Sequence, residues 1–356
     1  LDHSLRAGDS LVGLTRKQIA AFDWNPSTQM SLLEQRVRQK IDTVSNYRQQ
    51  IFAARDDVPY ALLKQKLDAA EDALNLPRQI GDAVIAAFFD AEKAKDRENI
   101  RMQLSDQITN DLRDHGFITL NGPADKAIAK LKTGARKIHP FHWELEFPEV
   151  FGLSEHGDQT GGFDAIVGNP PFLGGTRIST VAGMTYFSWI TSRFEGCGHL
   201  CDLVAYFFRR AFGLLRPSGA FGLIATNTIS QGDTREGGLR RILSDGGTIY
   251  AATRRFKWPS AVAVVVSVVH VVKQRGSISC ILDGKKVSRI SAYLSEGEND
   301  ESPARLLTNP YFSLGSKIYG QGFVFADDDP ECTPLSVFAR RNWMRGLIYE
   351  KLFERK

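Results

Sequence analysis

The chain has 356 residues, with 45 basic against 41 acidic side chains, a formal charge of +4, 42% hydrophobic and 24% charged residues. That length can bury a sizeable core and allows two or three domains, and the composition is that of a folded chain rather than a disordered or fibrous one. No apolar stretch is long enough to span a bilayer, the run Val262–Val272 being 11 residues; Cys197, Cys201, Cys280 and Cys332 follow neither disulfide nor zinc spacing, which suits the cytoplasm.

In chain order, the first residues read as a strand followed by a turn at Gly8-Asp9, where Asp9 is by type an ordinary turn residue or helix cap. Between Thr28 and Lys132 the pattern changes. Leu33, Val37, Ile41, Val44, Tyr47 and Ile51 recur every three or four residues, as do Tyr60, Leu63, Leu67, Ala70 and Leu74, with Asp56-Asp57-Val58-Pro59 breaking the two runs. A third run carries Ile100, Leu104, Ile108 and Leu112. These predict long amphipathic helices in a hairpin or small bundle, inserted before the next strand. Arg36, Arg38, Lys40, Lys64 and Lys66 read as a solvated helix face, with contact to DNA phosphate as the other reading. From His139 to Phe151 the aromatics are expected to pack the insert against a sheet; His139 and His142, separated by Pro140, read as structural, and no metal site is expected.

Residues 163–172 read Phe-Asp-Ala-Ile-Val-Gly-Asn-Pro-Pro-Phe. The apolar run predicts a buried strand ending at Gly168, and in open α/β sheets ligands bind at that carboxyl end. Pro170 and Pro171 fix φ near −65° and push their predecessors out of helical geometry, leaving the Pro170 carbonyl beside the side-chain oxygen of Asn169. Two neighbouring acceptors suit an –NH₂ group, and Phe172 offers a flat face for a planar ring.

Next, Leu200, Leu203, Val204, Phe207, Phe208, Ala211, Leu214 and Leu215 predict a helix ended by Arg216-Pro217-Ser218-Gly219. Ala220–Asn227 predicts a buried strand, Gly237–Leu243 a short helix and Val262–Val272 a central strand. This alternation matches the second half of a doubly wound sheet. After Lys273, Gly, Ser and Asp bound short apolar pieces, and Val337–Lys356 matches no recognisable pattern.

Asn169-Pro170-Pro171-Phe172 resembles the catalytic motif of S-adenosyl-L-methionine-dependent amino-methyltransferases, and its Phe ending resembles the DNA adenine-N6 branch. The resemblance implies that Asn169 and the Pro170 carbonyl accept the two amino hydrogens of a flipped-out adenine, that Pro171 helps to shape the corner, and that Phe172 stacks on the base. By the same resemblance Trp258 is the second stacking partner, with Phe256 as fallback. Asp9, Asn169 and Asp202 then contact the cofactor, although Asp202 also reads as a solvated helix carboxylate. The long helical insert is similar to that of type IIG restriction-modification and phage-defence enzymes. The family's Gly-rich turn and the acidic residue after its second strand have no counterpart: Gly161-Gly162 precedes a strand and Gly174-Gly175 follows the motif. With Leu at position 1, the pattern implies a fragment whose amino-terminal part lies elsewhere, expected to bind cofactor weakly or not at all.

The expected fold class is α/β: a partial Rossmann-like class I methyltransferase sheet with a large α-helical insertion and the start of a mixed α/β recognition region. The expected divisions are 1–14 (strand and Gly-Asp turn), 15–140 (insertion), 141–275 (catalytic core) and 276–356 (start of the target-recognition region and an atypical tail). The expected function is site-specific methylation of adenine N6 in double-stranded DNA, in the cytoplasm and without membrane association, alongside a nuclease or other restriction or defence component. Two alternatives remain open: a protein glutamine-N5 methyltransferase, whose motif usually ends in Tyr, and a non-catalytic DNA-binding or assembly fragment.

Overall fold

Helices form where the three-and-four spacing of apolar residues places them. The computed structural model describes residues 4–25, 32–55, 57–152, 161–257, 265–276 and 278–297, all within the unit Leu1–Asp300. Between 16 and 146 lie α1 (Arg16–Ala20), α2 (Leu32–Phe52), α3 (Tyr60–Phe89), α4 (Ala94–Asp114), α5 (Pro123–Leu131) and α6 (Trp143–Glu146). On α2 the predicted stripe is buried at Val37, Ile41 and Val44, while Arg36, Arg38 and Lys40 face solvent. The break before Tyr60 is where the sequence places it, and Pro59 caps α3. Thr15 and Gln18 form a reciprocal capping box at the start of α1, satisfying N–H groups that the helix itself leaves open.

The sheet has six strands among the described residues, in the order β1-β2-β4-β3-β5-β6: β1 (Phe163–Gly168), β2 (Leu215–Thr226), β3 (Thr248–Lys257), β4 (Val265–Val272), β5 (Cys280–Leu282) and β6 (Lys285–Val287). The α/β class is therefore the expected one, but the sheet is mixed. β1 and β2 run parallel, as do β3 and β5, whereas β4 is antiparallel to both of its neighbours, β2 and β3. The β-branched run in β4 is central, as its composition predicts. The helix α9 (Leu203–Leu214) covers one face of the sheet, with Phe208 edge-on to Phe221 at 5.4 Å.

Several expectations need correction. Residues 4–14 form no strand; their β-type pairing is a single bridge between Asp9 and Pro140. Leu11, Val12 and Leu14 are nevertheless fully or almost fully buried, so apolar character there reflects core packing rather than a ladder. β1 is an edge strand, not a buried one: Val167 is 87% exposed, because β1 pairs only with β2 among the described residues. Apolar composition shows that a strand tolerates burial, not that a neighbour exists. Helix α9 ends at Leu214, just before Arg216-Pro217-Ser218-Gly219 as expected, but the strand starts earlier than the expected Ala220: those four residues lie within β2 and bulge out of it, since Phe163 pairs with Leu215 but Ala165 with Ala220. The short helix predicted over 237–243 is part of a longer helical run: α10 (Gly232–Arg235), a π-helical turn (Glu236–Arg240) and α11 (Arg241–Ser244). The sheet also continues past the division expected at 276, since β5 and β6 extend it. Residues 298–356 of the expected final region lie outside the described residues.

The insert is joined to the sheet domain through residues 139–151. Trp143, Phe147 and Phe151 surround the ring of Phe163 at the start of β1, at 5.4–5.8 Å. Polar side chains complete this junction. Arg16 donates to the Glu144 carbonyl (3.0 and 2.8 Å), Arg48 to the Glu146 carbonyl (2.7 Å), and Arg78 to both Glu146 carboxylate oxygens (2.7 Å each). His142, 1% exposed, accepts the Leu14 N–H at Nδ1 (3.0 Å). Its proton therefore sits on Nε2, which faces the Asp82 carboxylate at 3.2 Å. Both ring nitrogens are engaged in structural contacts, as the sequence reading of His142 expects.

Burial alone would raise the Asp82 carboxyl, but His142 and Lys132 (2.5 Å) hold it below the ordinary aspartate range. A depressed carboxylate contributes stability that is present above the unfolded value, about 3.9, and lost as pH falls through the lower folded value. Urea unfolding followed from about pH 6 to pH 3 should show a steeper acid loss for wild type than for Asp82→Asn. At neutral pH, Asp82→Ala should cost about 1–3 kcal/mol, because it leaves the buried His142 N–H unpaired.

Candidate methyl-transfer site

Asn169-Pro170-Pro171-Phe172 lies in irregular chain directly after β1, before α7 (Gly175–Ala182) and α8 (Met184–Arg193). Asn169 is exposed, Pro170 is buried, Pro171 is exposed and Phe172 is 36% exposed. No hydrogen bond to the Asn169 side chain is found among the described residues, so its amide is not used to satisfy nearby backbone. The buried ring of Pro170 anchors a corner whose two flanking polar and aromatic groups are open to solvent.

What fixes the corner is the residue just beyond it. The Asp202 carboxylate accepts the Leu173 N–H at 3.3 Å and the Val204 N–H at 3.0 Å through the same oxygen, Oδ1. The second bond makes Asp202 the N-cap of α9. Leu203 N–H donates to the Leu173 carbonyl at 2.9 Å, and Asp202 N–H to the Thr234 hydroxyl at 3.0 Å. Asp202 is 6% exposed. It is thus not a solvated helix carboxylate, and through Oδ1 and its backbone N–H it ties together the motif, α9 and α10. Gly175 is needed beside it: a Cβ there would lie 2.5 Å from the His199 carbonyl and 2.7 Å from that of Cys201.

Asp9 stands at the other side of α8. Its Oδ1 accepts the Leu11 N–H at 3.0 Å and the Tyr186 hydroxyl at 3.3 Å. Burial pushes the Asp9 carboxyl upward against these hydrogen bonds and the nearby Arg210 guanidinium. Arg210 is itself pushed down to about 10 by burial; it donates to the Leu11 carbonyl at 3.2 Å, while its Nε is buried without a hydrogen bond. Tyr186 and Arg210 are 177 and 201 residues from Asp9, and the sequence carries no local signal for either. Asp9 is half-buried and keeps part of its surface open, unlike Asp202. Along α9, Asp202 and Arg210 are eight residues apart, about 12 Å.

Of the stacking residues, Trp258 lies outside the described residues, and Phe256, at the end of β3, is 42% exposed. A cavity of about 550 Å³ opens between α3, α5, α7 and α8, lined in part by Phe89, Arg136, Met184 and Tyr186. None of the motif residues lines it. Among the described residues no three His, Cys, Asp or Glu side chains are gathered to hold a metal ion, and no helix is long and apolar enough to cross a membrane.

The sequence profile of the family described as Eco57I restriction-modification methylase matches residues 28–249. The chain belongs to this family. The match takes in the helical insert, the Asn-Pro-Pro-Phe corner, α9 and the strand β2, which agrees with the family expected from the motif. Among solved structures, the Type IIL restriction-modification enzyme MmeI, determined in complex with DNA, is similar at 18% identity and a TM-score of 0.37, over 60% of this chain and 29% of that one. A class I S-adenosylmethionine-dependent methyltransferase described as putative, lmo1582 from Listeria monocytogenes, aligns at 9% identity and a TM-score of 0.27, over 69% of this chain and 90% of that one. The M protein of the Type I restriction enzyme EcoKI aligns at 14% identity and a TM-score of 0.24, over 65% and 54%. The chain thus spans less than a third of MmeI and about half of the EcoKI subunit. No curated protein matches the chain. Membership of the Eco57I methylase family rests on the sequence profile.

The role of Asp202 as a tie distinguishes a substitution that keeps an acceptor from one that removes it. Asp202→Asn keeps an oxygen that can accept both N–H groups and should unfold near wild type. Asp202→Ala should lose about 1–3 kcal/mol in urea titration and speed hydrogen exchange at the Leu173 amide.

Proposed function

We propose that the chain carries the catalytic corner of a DNA adenine-N6 methyltransferase of a restriction-modification or phage-defence system. One observation carries this reading: Asn169 is exposed, with no side-chain hydrogen bond among the described residues, at the carboxyl end of β1, beside a buried Pro170 and a partly exposed Phe172. The substrate is an adenine rotated out of double-stranded DNA, because its amino group is not reachable inside the stack.

The exocyclic nitrogen of adenine is a poor nucleophile while its lone pair is delocalised into the ring. Asn169 Oδ1 and the Pro170 carbonyl oxygen each accept one amino hydrogen, drawing the nitrogen toward tetrahedral geometry and localising the pair. Positive charge grows on that nitrogen during transfer, so both acceptors bind the transition state more strongly than the ground state. Phe172 supports the ring by stacking, worth about 1–3 kcal/mol. Pro171 pushes Pro170 out of helical geometry by steric clash, so the Pro170 carbonyl is not drawn into a helix. S-adenosyl-L-methionine, when bound, supplies the electrophilic methyl group. Asn169, the half-buried Asp9 and Asp202 are the residues of this chain that would contact it; Asp202 also positions the corner, its Oδ1 accepting the Leu173 and Val204 N–H groups. Trp258 is carried forward as the second stacking residue. A cytoplasmic setting and a nuclease or other defence component as partner belong to the same proposal.

The test is methyl transfer by the protein as encoded, with labelled S-adenosyl-L-methionine and duplex DNA, followed by nucleoside analysis. N6-methyladenine is the expected product. Asn169→Ala should lower kcat by about 10²–10³-fold, and Phe172→Ala should weaken base binding with a smaller effect on kcat. Label recovered in protein glutamine rather than in DNA would replace this reading with the amide-methylating alternative. Titration calorimetry of the 356-residue chain with the cofactor measures how much of the binding site these residues supply.

A further inference from the structure

The tip of β3 is irregular in a way that the proposed chemistry does not use. Thr253 pairs with Val268 and Phe256 with Val266, so Arg254 and Arg255 together stand opposite Ser267. This is a β-bulge, a device that re-aims the side chains following it. Arg255 occupies the left-handed region at φ 53°, which an arginine adopts only when the surrounding structure imposes it. Beyond the bulge, Phe256 and Lys257 lie on the faces opposite to those an unbroken strand would give them.

Three cations occur in these four residues. Arg254 is neutralised: its backbone N–H and its Nε donate to the two oxygens of Asp283, at 2.7 and 2.9 Å. Arg255 and Lys257 are exposed and have no partner among the described residues. They share a rim with the catalytic corner. Lys257 pairs with Val265 at the start of β4, Val266 pairs with Thr226 at the end of β2, and β2 runs parallel to β1, which ends at Gly168 beside Asn169. Three strand spacings of about 4.8 Å separate β1 from β3, roughly 14 Å. That lateral separation matches a rise of about four nucleotide steps, about 3.4 Å each along the DNA helix axis.

We propose that Arg255 and Lys257 bind the phosphates of the DNA strand flanking the target base, holding the duplex against the rim that presents Asn169. This rests on the reading of the chain as a DNA methyltransferase. The bulge turns two cations that have no partner among the described residues outward beside an aromatic ring, and a polyanion with regularly spaced charge is the partner that complements them.

The measurement is fluorescence anisotropy of the 356-residue chain with a labelled duplex, between about 50 and 200 mM salt. Each phosphate contact contributes about 0.9 to the slope of log affinity against log salt. Arg255→Gly, which suits the left-handed backbone, and Lys257→Ala should each shrink the affinity ratio across that range about 3.5-fold, and the double variant about twelvefold. Arg255→Lys should restore the wild-type slope, and Lys126→Ala, an exposed cation on α5, should leave it unchanged. Salt-dependent binding by wild type with an unaltered slope in the double variant overturns the clamp and leaves the DNA reading standing, as does an equal slope change in Lys126→Ala. Absence of salt-dependent DNA binding by wild type overturns both.

Discussion

The arrangement at the proposed site depends on a single buried carboxylate. Asp202 Oδ1 accepts one N–H from the chain just past the motif and one from the first turn of α9, so the loop and the helix cannot shift independently. A buried acceptor with two donors is costly to disturb, since any displacement leaves polar groups without water or partner. Thr234 and the close contact at Gly175 hold the same point from two further directions. The motif itself contributes rigidity through its two prolines, but prolines fix only local dihedrals. Where the corner sits relative to α9 and α10 is set by Asp202.

A second set of polar contacts ties the helical insert to the sheet. Residues 142–149 receive Arg16, Arg48, Arg78 and the Leu14 N–H, while their aromatic members surround Phe163 at the start of β1. On the opposite side of the insert, the fully buried Trp189 of α8 packs edge-on against Phe88 of α3 at 4.9 Å and donates to the Leu11 carbonyl at 3.1 Å. The insert is therefore joined both before β1 and after the motif. A displacement of α3 would be felt at both ends of β1. Close packing transmits such shifts because there is little free volume to absorb them.

Much of this was legible from residue type and spacing, and the misses share a cause. The helices of the insert, the break before Tyr60, the central position of β4 and the exposed motif after β1 follow from local periodicity and from the stereochemistry of proline. The strand expected in the first residues and the burial expected of β1 each required knowing which segment lies alongside, as did the start of β2 already at Leu215. Val167 has the composition of an interior residue and is exposed; Leu11 and Val12 have the composition of a strand and are buried in a turn. The Asp9–Tyr186 contact joins residues 177 positions apart, and the role of Asp202 depends on a backbone N–H 29 positions earlier.

By itself the amino-acid sequence determined which chemistry is available: two acceptors and an aromatic face at a strand end, because proline geometry and side-chain hydrogen-bonding capacity are properties of single residues and their immediate neighbours. It also determined the helical insert, since amphipathic spacing is a local record of one buried face. Only the tertiary structure decided that Asp202 is buried and bonded to two backbone N–H groups while Asp9 is half-buried, which strand lies at the edge among the described residues, and that a bulge turns Arg255 and Lys257 onto the rim shared with Asn169. Those outcomes depend on desolvation and pairing between distant segments, and such energies exist only once the segments meet.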